Sequence, residues 1–338
     1  MHDLQQMEQD LLKPSEALIA DISDLKGDII ILGVGGKMGP SMARLAKQAI
    51  EMAGVKKRVI GVSRFSDNDL QAALERDGIE TISADLLNEN QLSDLPAVEN
   101  VLYLAGTKFG TTGKEAFTWA MNAYLPGRVA EKFRHSKIVA FSTGNVYPFV
   151  PVTAGGCSED HAAAPVGEYG QSCLGRERIF QYFSDKYNIP TLIYRLNYAI
   201  DFRYGVLLEI AKSVRNETPI DLTTGNANVI WQGDANEIAI RSFKHCDVPA
   251  KILNVTGPET VSIKWLAQRF GEVFNKQPVF INEPQEKALL SNASEAHKLF
   301  GYPKVTLRQM ITITATWLEN GGQVWAKDTH FQERNGKF

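Results

Sequence analysis

Short apolar runs alternate with longer amphipathic stretches along most of the chain. Asp28-Ile29-Ile30-Ile31-Leu32 comes first, and its unbroken apolar character fits an inner strand of a parallel sheet, buried on both faces. Arg58-Val59-Ile60-Gly61-Val62, Glu80–Asp85, Asn100–Gly106, Lys137–Thr143 and Thr191–Leu196 repeat the pattern. Helix-prone segments lie between them at 41–52, 66–77, 114–134 and 168–187. This alternation predicts an α/β fold, a doubly wound parallel sheet with helices on both faces. Ahead of the first strand, Leu4, Met7, Leu11 and Leu12 form one apolar stripe, Pro14 breaks it, and Leu18, Ile19, Ile22 and Leu25 form another. Residues 1–26 therefore read as an N-terminal helical extension.

The rhythm loosens after about residue 197. Residues 205–215 read as helix, 216–228 as loop, and Lys251–Val255 as one more strand of the main sheet. Helices follow from 262, with a short Val279-Phe280-Ile281 strand and a last helix near 306–319.

The first strand runs into Gly33-Val34-Gly35-Gly36-Lys37-Met38-Gly39, and a helix follows. Glycines allow a tight turn and close approach of backbone to a pyrophosphate, and the helix start offers N–H groups and a positive dipole end to that anion. The setting points to a dinucleotide, whereas a glycine turn without it would be an ordinary strand–helix connection. The expected organisation is a dinucleotide-binding domain at 27–200 plus roughly 230–258. A smaller C-terminal substrate lobe comes from 201–229 and 259–320, and a surface tail from 321–338.

Composition narrows the class. A net charge of −3 argues against a nucleic-acid surface. No apolar run reaches the length that spans a bilayer, so no membrane partner is expected. Cys157, Cys173 and Cys246 have neither metal-site spacing nor a disulfide framework, which suits a reducing, cytoplasmic setting.

Candidate chemistry lies at the ends of the strands. The second strand ends Val62-Ser63-Arg64, with Asp67 the nearest acid. A basic residue there neutralises a ribose 2′-phosphate, so NADP is favoured over NAD; the alternative is a solvated Arg64. Asp85, followed by Leu86, could accept from an adenine amino group or simply face solvent. Phe141-Ser142-Thr143-Gly144-Asn145-Val146-Tyr147 and, later, Glu168-Tyr169-Gly170-Gln171-Ser172-Cys173 place a hydroxyl at a strand end and a Tyr on the next helix. Such a pair can hold and protonate a carbonyl oxygen. Smaller signals are His135 and His161, read as solvent-facing, Trp231, read as packing at the lobe junction, and Arg203 and Arg215, open between phosphate binding and surface roles.

Together these segments resemble the extended short-chain dehydrogenase/reductases of the NAD-dependent epimerase/dehydratase family. The residues carrying the likeness span most of 27–320: the Gly33/Gly36/Gly39 loop, Ala84-Asp85-Leu86, Leu104-Ala105-Gly106, Asn122, Ser142–Tyr147, Tyr169–Ser172 and Tyr194–Tyr198. The resemblance implies a Rossmann-like fold and hydride transfer on a sugar, sugar nucleotide or related polyol. It gives Thr143 and Tyr169 the catalytic roles. It lines the cofactor with Gly33, Gly36, Lys37, Met38, Gly39, Ser63, Arg64, Asp85, Leu86, Ala105, Gly106, Lys108, Asn122 and Cys173. It turns Thr107, Asn145 and Asn197 toward substrate, sets Asp234 at the domain junction, and implies a homodimer through the helices at 114–134 and 168–187.

One departure stands out. The family pattern is Tyr-x-x-x-Lys, and here Cys173 occupies the lysine position. That lysine holds the nicotinamide ribose and favours tyrosinate. An unperturbed Tyr has a pKa near 10, so losing a shift of about 3 units forfeits about 4 kcal/mol of tyrosinate stabilisation. Three explanations remain open: Lys108 supplies the charge; a neutral Tyr acid suffices or another acid/base acts; or the pocket binds NADP(H) without turnover, as a sensor would.

Overall fold

The apolar runs become the strands of one sheet. The computed structural model describes residues 6, 11–66, 68–108, 112–325 and 329–337. Its main strands are β1 (Ile29–Leu32), β2 (Val59–Ser63), β3 (Glu80–Ser83), β4 (Asn100–Tyr103), β5 (Lys137–Thr143), β6 (Thr191–Leu196) and β7 (Lys251–Val255). They lie in the order β7-β6-β5-β4-β1-β2-β3, and every adjacent pair is parallel. Because β2 and β4 flank β1 on opposite sides, the winding reverses there and a cleft opens beyond the strands' carboxyl ends.

Alternation along β1 explains its composition. Ile29 and Ile31 enter one hydrophobic cluster, and Ile30 and Leu32 enter another on the opposite face. The first cluster is covered by α1 (Glu16–Asp24), α2 (Gly39–Met52) and, late in the chain, Gln232–Arg241. Ser15 caps α1 and also donates to Glu237, which joins the N-terminal extension to that late helix. Leu18 and Ile22, one turn apart, are buried as their periodicity predicts; Leu4 and Met7 lie outside the described residues. A third cluster joins α3 (Val206–Arg215), α4 (Ile263–Phe274) and α5 (Leu307–Glu319), with Phe202, Trp231 and Trp317 between them.

Two segments differ from the sequence reading. The stretch expected as one helix at 114–134 is α-helical at Glu115–Trp119, π-helical at Ala120–Tyr124 and α-helical again at Leu125–Lys132. Pro126 has no N–H to give the carbonyl of Asn122, four residues back, so the regular ladder cannot run through this point. The second is the supposed surface tail. Phe331 is buried, Trp325 stacks on Tyr204, and Thr329 Oγ1 donates to Glu209 at 2.8 Å. Its aromatic side chains gain burial against the C-terminal cluster, and this draws the segment across the molecule.

A buried ion pair ties the long helix Gly167–Tyr187 to the sheet. Glu177, with no exposed surface, accepts from Arg195 of β6 at 2.6 and 2.9 Å and from Ser142 of β5. Arg195 also donates to the Tyr147 hydroxyl at 2.6 Å, and Tyr147 donates to Asn254 of β7 at 2.9 Å. Removing one partner strands the other charge inside the protein. Glu177→Ala should therefore lower the unfolding free energy by about 3–5 kcal/mol in urea titrations, and Glu177→Gln combined with Arg195→Met should lower it by less.

Candidate active site

A cavity of about 260 Å³ opens at the carboxyl ends of β1, β5 and β6. Its floor is the glycine loop. Gly33 and Val34 both donate to the Val62 carbonyl, at 2.9 and 3.1 Å, and Gly36 donates back to Gly33 at 3.1 Å. Gly33 sits at φ +91°, and a Cβ there would stand 2.8 Å from the Ala105 nitrogen. A Cβ on Gly39 would stand 2.2 Å from the Val34 carbonyl oxygen. No side chain caps the start of α2, so its first-turn N–H groups remain for an anion. Among the described residues no carboxylate lines the cavity, while Lys37 and Lys108 do. The cradle thus fits the pyrophosphate of a dinucleotide.

Thr143, at the end of β5, and Tyr169, in the first turn of Gly167–Tyr187, line one wall of the cavity. Thr143 Oγ1 also accepts from the backbone and side-chain nitrogens of Asn145, at 3.1 and 3.0 Å. Asn197 lines the same wall. Lys108 Nζ lies 5.8 Å from the centre of the Tyr169 ring. Desolvation, chiefly, and then Cys173 push the Tyr169 phenol far above its ordinary range, against the pull of Arg176 and Thr143. The Tyr169 phenol is therefore neutral at neutral pH. Burial first, and then Lys37, bring Lys108 down to about 8.

Cys173, one helical turn after Tyr169, is fully buried, and burial raises its thiol pKa. A neutral group thus stands where the Tyr-x-x-x-Lys pattern has a cation. Asn122, also fully buried, sits in the π-helical turn rather than on the cavity wall. Its side chain accepts from Thr107 N and donates to Thr107 O, both at 2.9 Å, like a neighbouring strand. Asn122 thereby holds the loop from which Lys108 projects.

A profile of the NAD dependent epimerase/dehydratase family matches residues 29–200. The chain belongs to this family. Solved structures with the same fold include the UDP-glucuronic acid 4-epimerase of Bacillus cereus, at 18% identity and TM-score 0.71, covering 87% of this chain and 99% of that one. The dTDP-glucose 4,6-dehydratase of Bacillus anthracis, at 15% identity and TM-score 0.72, covers 87% and 97%. The UDP-glucose 4-epimerase of Thermotoga maritima, at 16% identity and TM-score 0.69, covers 87% and 99%. The first two were solved with NAD. A search of curated proteins found no match.

The cavity of this epimerase/dehydratase-family protein collects Gly33, Gly36, Lys37, Met38, Gly39, Lys108, Thr143, Asn145, Tyr169 and Asn197. Other named positions lie off it. Ser63 stands against the loop, 2.5 Å from where a Gly35 Cβ would be, and Ala105 backs Gly33. Gly106 lies against Arg176 and Asn122. Arg64 is exposed beyond β2, and Asp67 lies outside the described residues. Asp85 is exposed, and its carboxylate accepts from Leu87 N at 3.0 Å. Leu86 is a core residue, buried because its apolar side chain faces the sheet's second cluster. Arg215 donates to the Leu318 carbonyl at 2.6 Å and Arg203 pairs with Asp201 at 3.3 Å, so both are engaged in packing the C-terminal cluster. Trp231 packs there too, and Asp234 accepts from Val305 N at 3.0 Å.

Tyr198, Tyr204 and Thr329 line the cavity without having been assigned a role from the sequence. Gly205, at φ +124°, was the one local sign of a special turn beside Tyr204; nothing near Thr329 signalled its place. A larger surface groove of about 830 Å³ near Phe149, Pro284 and Arg334 includes neither the glycine loop nor Tyr169.

The depressed Lys108 pKa makes a measurable demand. Between pH 8 and the ordinary lysine range the folded protein has released a proton that the unfolded chain retains, so stability contributed by this site rises with pH across that window. Urea titrations from pH 7.5 to 10 should show Lys108→Met gaining less stability with pH than the parent; parallel curves would contradict the assignment.

Proposed function

We propose that this protein is an NAD(P)-dependent oxidoreductase of the epimerase or dehydratase type, acting on a sugar nucleotide or a related sugar or polyol. The observation that carries the reading is convergence: the glycine cradle, Thr143 and Tyr169 wall one cavity. The bound nicotinamide would exchange a hydride with the substrate carbon. Tyr169, neutral and on the same wall as Thr143, donates its proton to the substrate oxygen as a carbonyl is reduced and takes one back in reverse. Thr143 holds that oxygen, Asn197 orients the ring beyond it, and Lys108 keeps a positive charge against the phenol below pH 8.

Cofactor choice turns on the end of β2. Ser63 and Arg64 would meet a 2′-phosphate there, which supports NADP over the NAD found in the solved relatives. Phe117, Trp119, Tyr124 and Tyr182 are exposed on the two helices expected to pair with a second copy, which supports a homodimer. Binding without turnover keeps one observation in its favour, the neutral Cys173.

The test measures dinucleotide binding by fluorescence, then turnover of UDP-glucose, UDP-glucuronic acid and dTDP-glucose. Tyr169→Phe should cut turnover by about 10²–10⁴-fold while dinucleotide affinity stays within about threefold. Dinucleotide binding with no turnover of any of the three would favour the binding protein. Arg64→Ala should weaken NADPH by about tenfold or more and leave NADH nearly unchanged. An equal response of both coenzymes would remove the NADP preference.

A further inference from the structure

We infer that Arg176 is a positioning residue of this site: from one helical turn beyond Cys173, its buried guanidinium supplies the fixed positive charge that the Tyr-x-x-x-Lys pattern places on the lysine. The inference rests on the enzymatic reading above. Tyr169, Cys173 and Arg176 occupy one face of the helix Gly167–Tyr187, at spacings of four and three residues. Long helical side chains lean toward the N-terminus, which carries the guanidinium back toward the thiol and the phenol.

The contacts fix it there. Nη1 donates to the Phe141 carbonyl at 2.8 Å, two residues before Thr143. Nη2 donates to Asn122 Oδ1 at 2.7 Å and lies 2.3 Å from where a Cβ on Gly106 would stand. Nε reaches the Asn122 carbonyl at 3.4 Å, the same carbonyl that Pro126 leaves without a helical donor. All these acceptors are neutral oxygens. Glu177, the next residue, gives both carboxylate oxygens to Arg195. Two guanidiniums are therefore buried, that of Arg195 paired in bidentate fashion and that of Arg176 held, among the described residues, by uncharged acceptors. A buried charge that is hydrogen-bonded but not ion-paired is costly to keep.

Several groups act on Tyr169. Cys173 and Arg176 do so from its own helix, and Thr143 does so from β5. Lys108 approaches from the 105–108 loop, itself biased by Lys37 and by Glu209. Tyr103 of β4 and Glu177 border Arg176 and Cys173. Of the two cations near the phenol, Lys108 loses its charge near pH 8 and Arg176 never does. Removing the permanent charge must make the phenol harder to ionise, which moves the pH dependence of proton abstraction toward higher pH.

The experiment uses the full chain, oxidised dinucleotide and whichever of UDP-glucose, UDP-glucuronic acid and dTDP-glucose turns over best. Arg176→Gln should lower kcat at pH 7 by about tenfold or more, change KM by less than about threefold, and shift the ascending limb of the pH–rate profile upward by about one unit. Arg176→Lys should hold the limb in place. Cys173→Lys, added to Arg176→Gln, should recover most of the lost kcat by restoring the charge at the motif position. An unmoved limb in Arg176→Gln, or an equal shift in Arg176→Lys, overturns the inference. If Arg176→Gln does not fold, Asn122→Asp sets a carboxylate against Nη2 and must shift the limb the same way; no shift again overturns it. An active parent with an unmoved limb defeats this inference alone, whereas a parent that binds dinucleotide but turns over none of the three defeats the enzymatic reading and this inference with it.

Discussion

The Glu177–Arg195 ion pair sets the geometry on which the site depends. Tyr169 belongs to a helix and Thr143 to a strand, and they line one wall only if the helix keeps one height and one rotation above the sheet. Glu177 enforces both, because it is fully buried and bound at once to Arg195 of β6 and Ser142 of β5. Arg195 passes the restraint to Tyr147 and on to Asn254 of β7. Buried ion pairs add little net stability over apolar packing, but they punish misplacement heavily. Here that penalty works as an alignment device.

A second restraint comes from a defect. Pro126 cannot complete the helical ladder, the chain widens into a π-helical turn, and Asn122 is buried against the 105–108 loop. Its amide satisfies both backbone groups of Thr107, and its carbonyl is taken by Arg176. The proline, the asparagine and the arginine are separated in sequence yet solve one hydrogen-bonding problem. Lys108 projects from the loop they hold.

The electrostatics of the cavity follow from these placements. Desolvation keeps Tyr169 protonated, Cys173 adds no charge, and positive charge reaches the phenol from two directions, Lys108 across the cavity and Arg176 through the helix. A neutral acid with flanking cations is suited to giving a proton to a developing alkoxide. The substitution at Cys173 thus changes where the charge comes from and leaves the proton on the phenol.

Much of this was legible in the chain itself. Apolar runs of strand length, each followed by an amphipathic stretch, determine a parallel sheet wound on both sides, because only that arrangement buries both faces of the inner runs. The glycine loop, Thr143 and Tyr169 could be named from order and residue type, since a turn after a strand and a hydroxyl at a strand's end are local facts. The roles of Asn122, Arg176, Tyr204 and Thr329 were not local. That the Asn122 side chain bonds both backbone groups of Thr107 could not be read from its position, and residues 321–338 read as surface until Trp325 and Phe331 found aromatic and apolar partners far back in the chain. Periodicity reports which face of an element is buried. Which distant atom satisfies a buried donor or charge is decided only when the elements pack, because that satisfaction depends on distances of a few tenths of an ångström that sequence spacing does not encode.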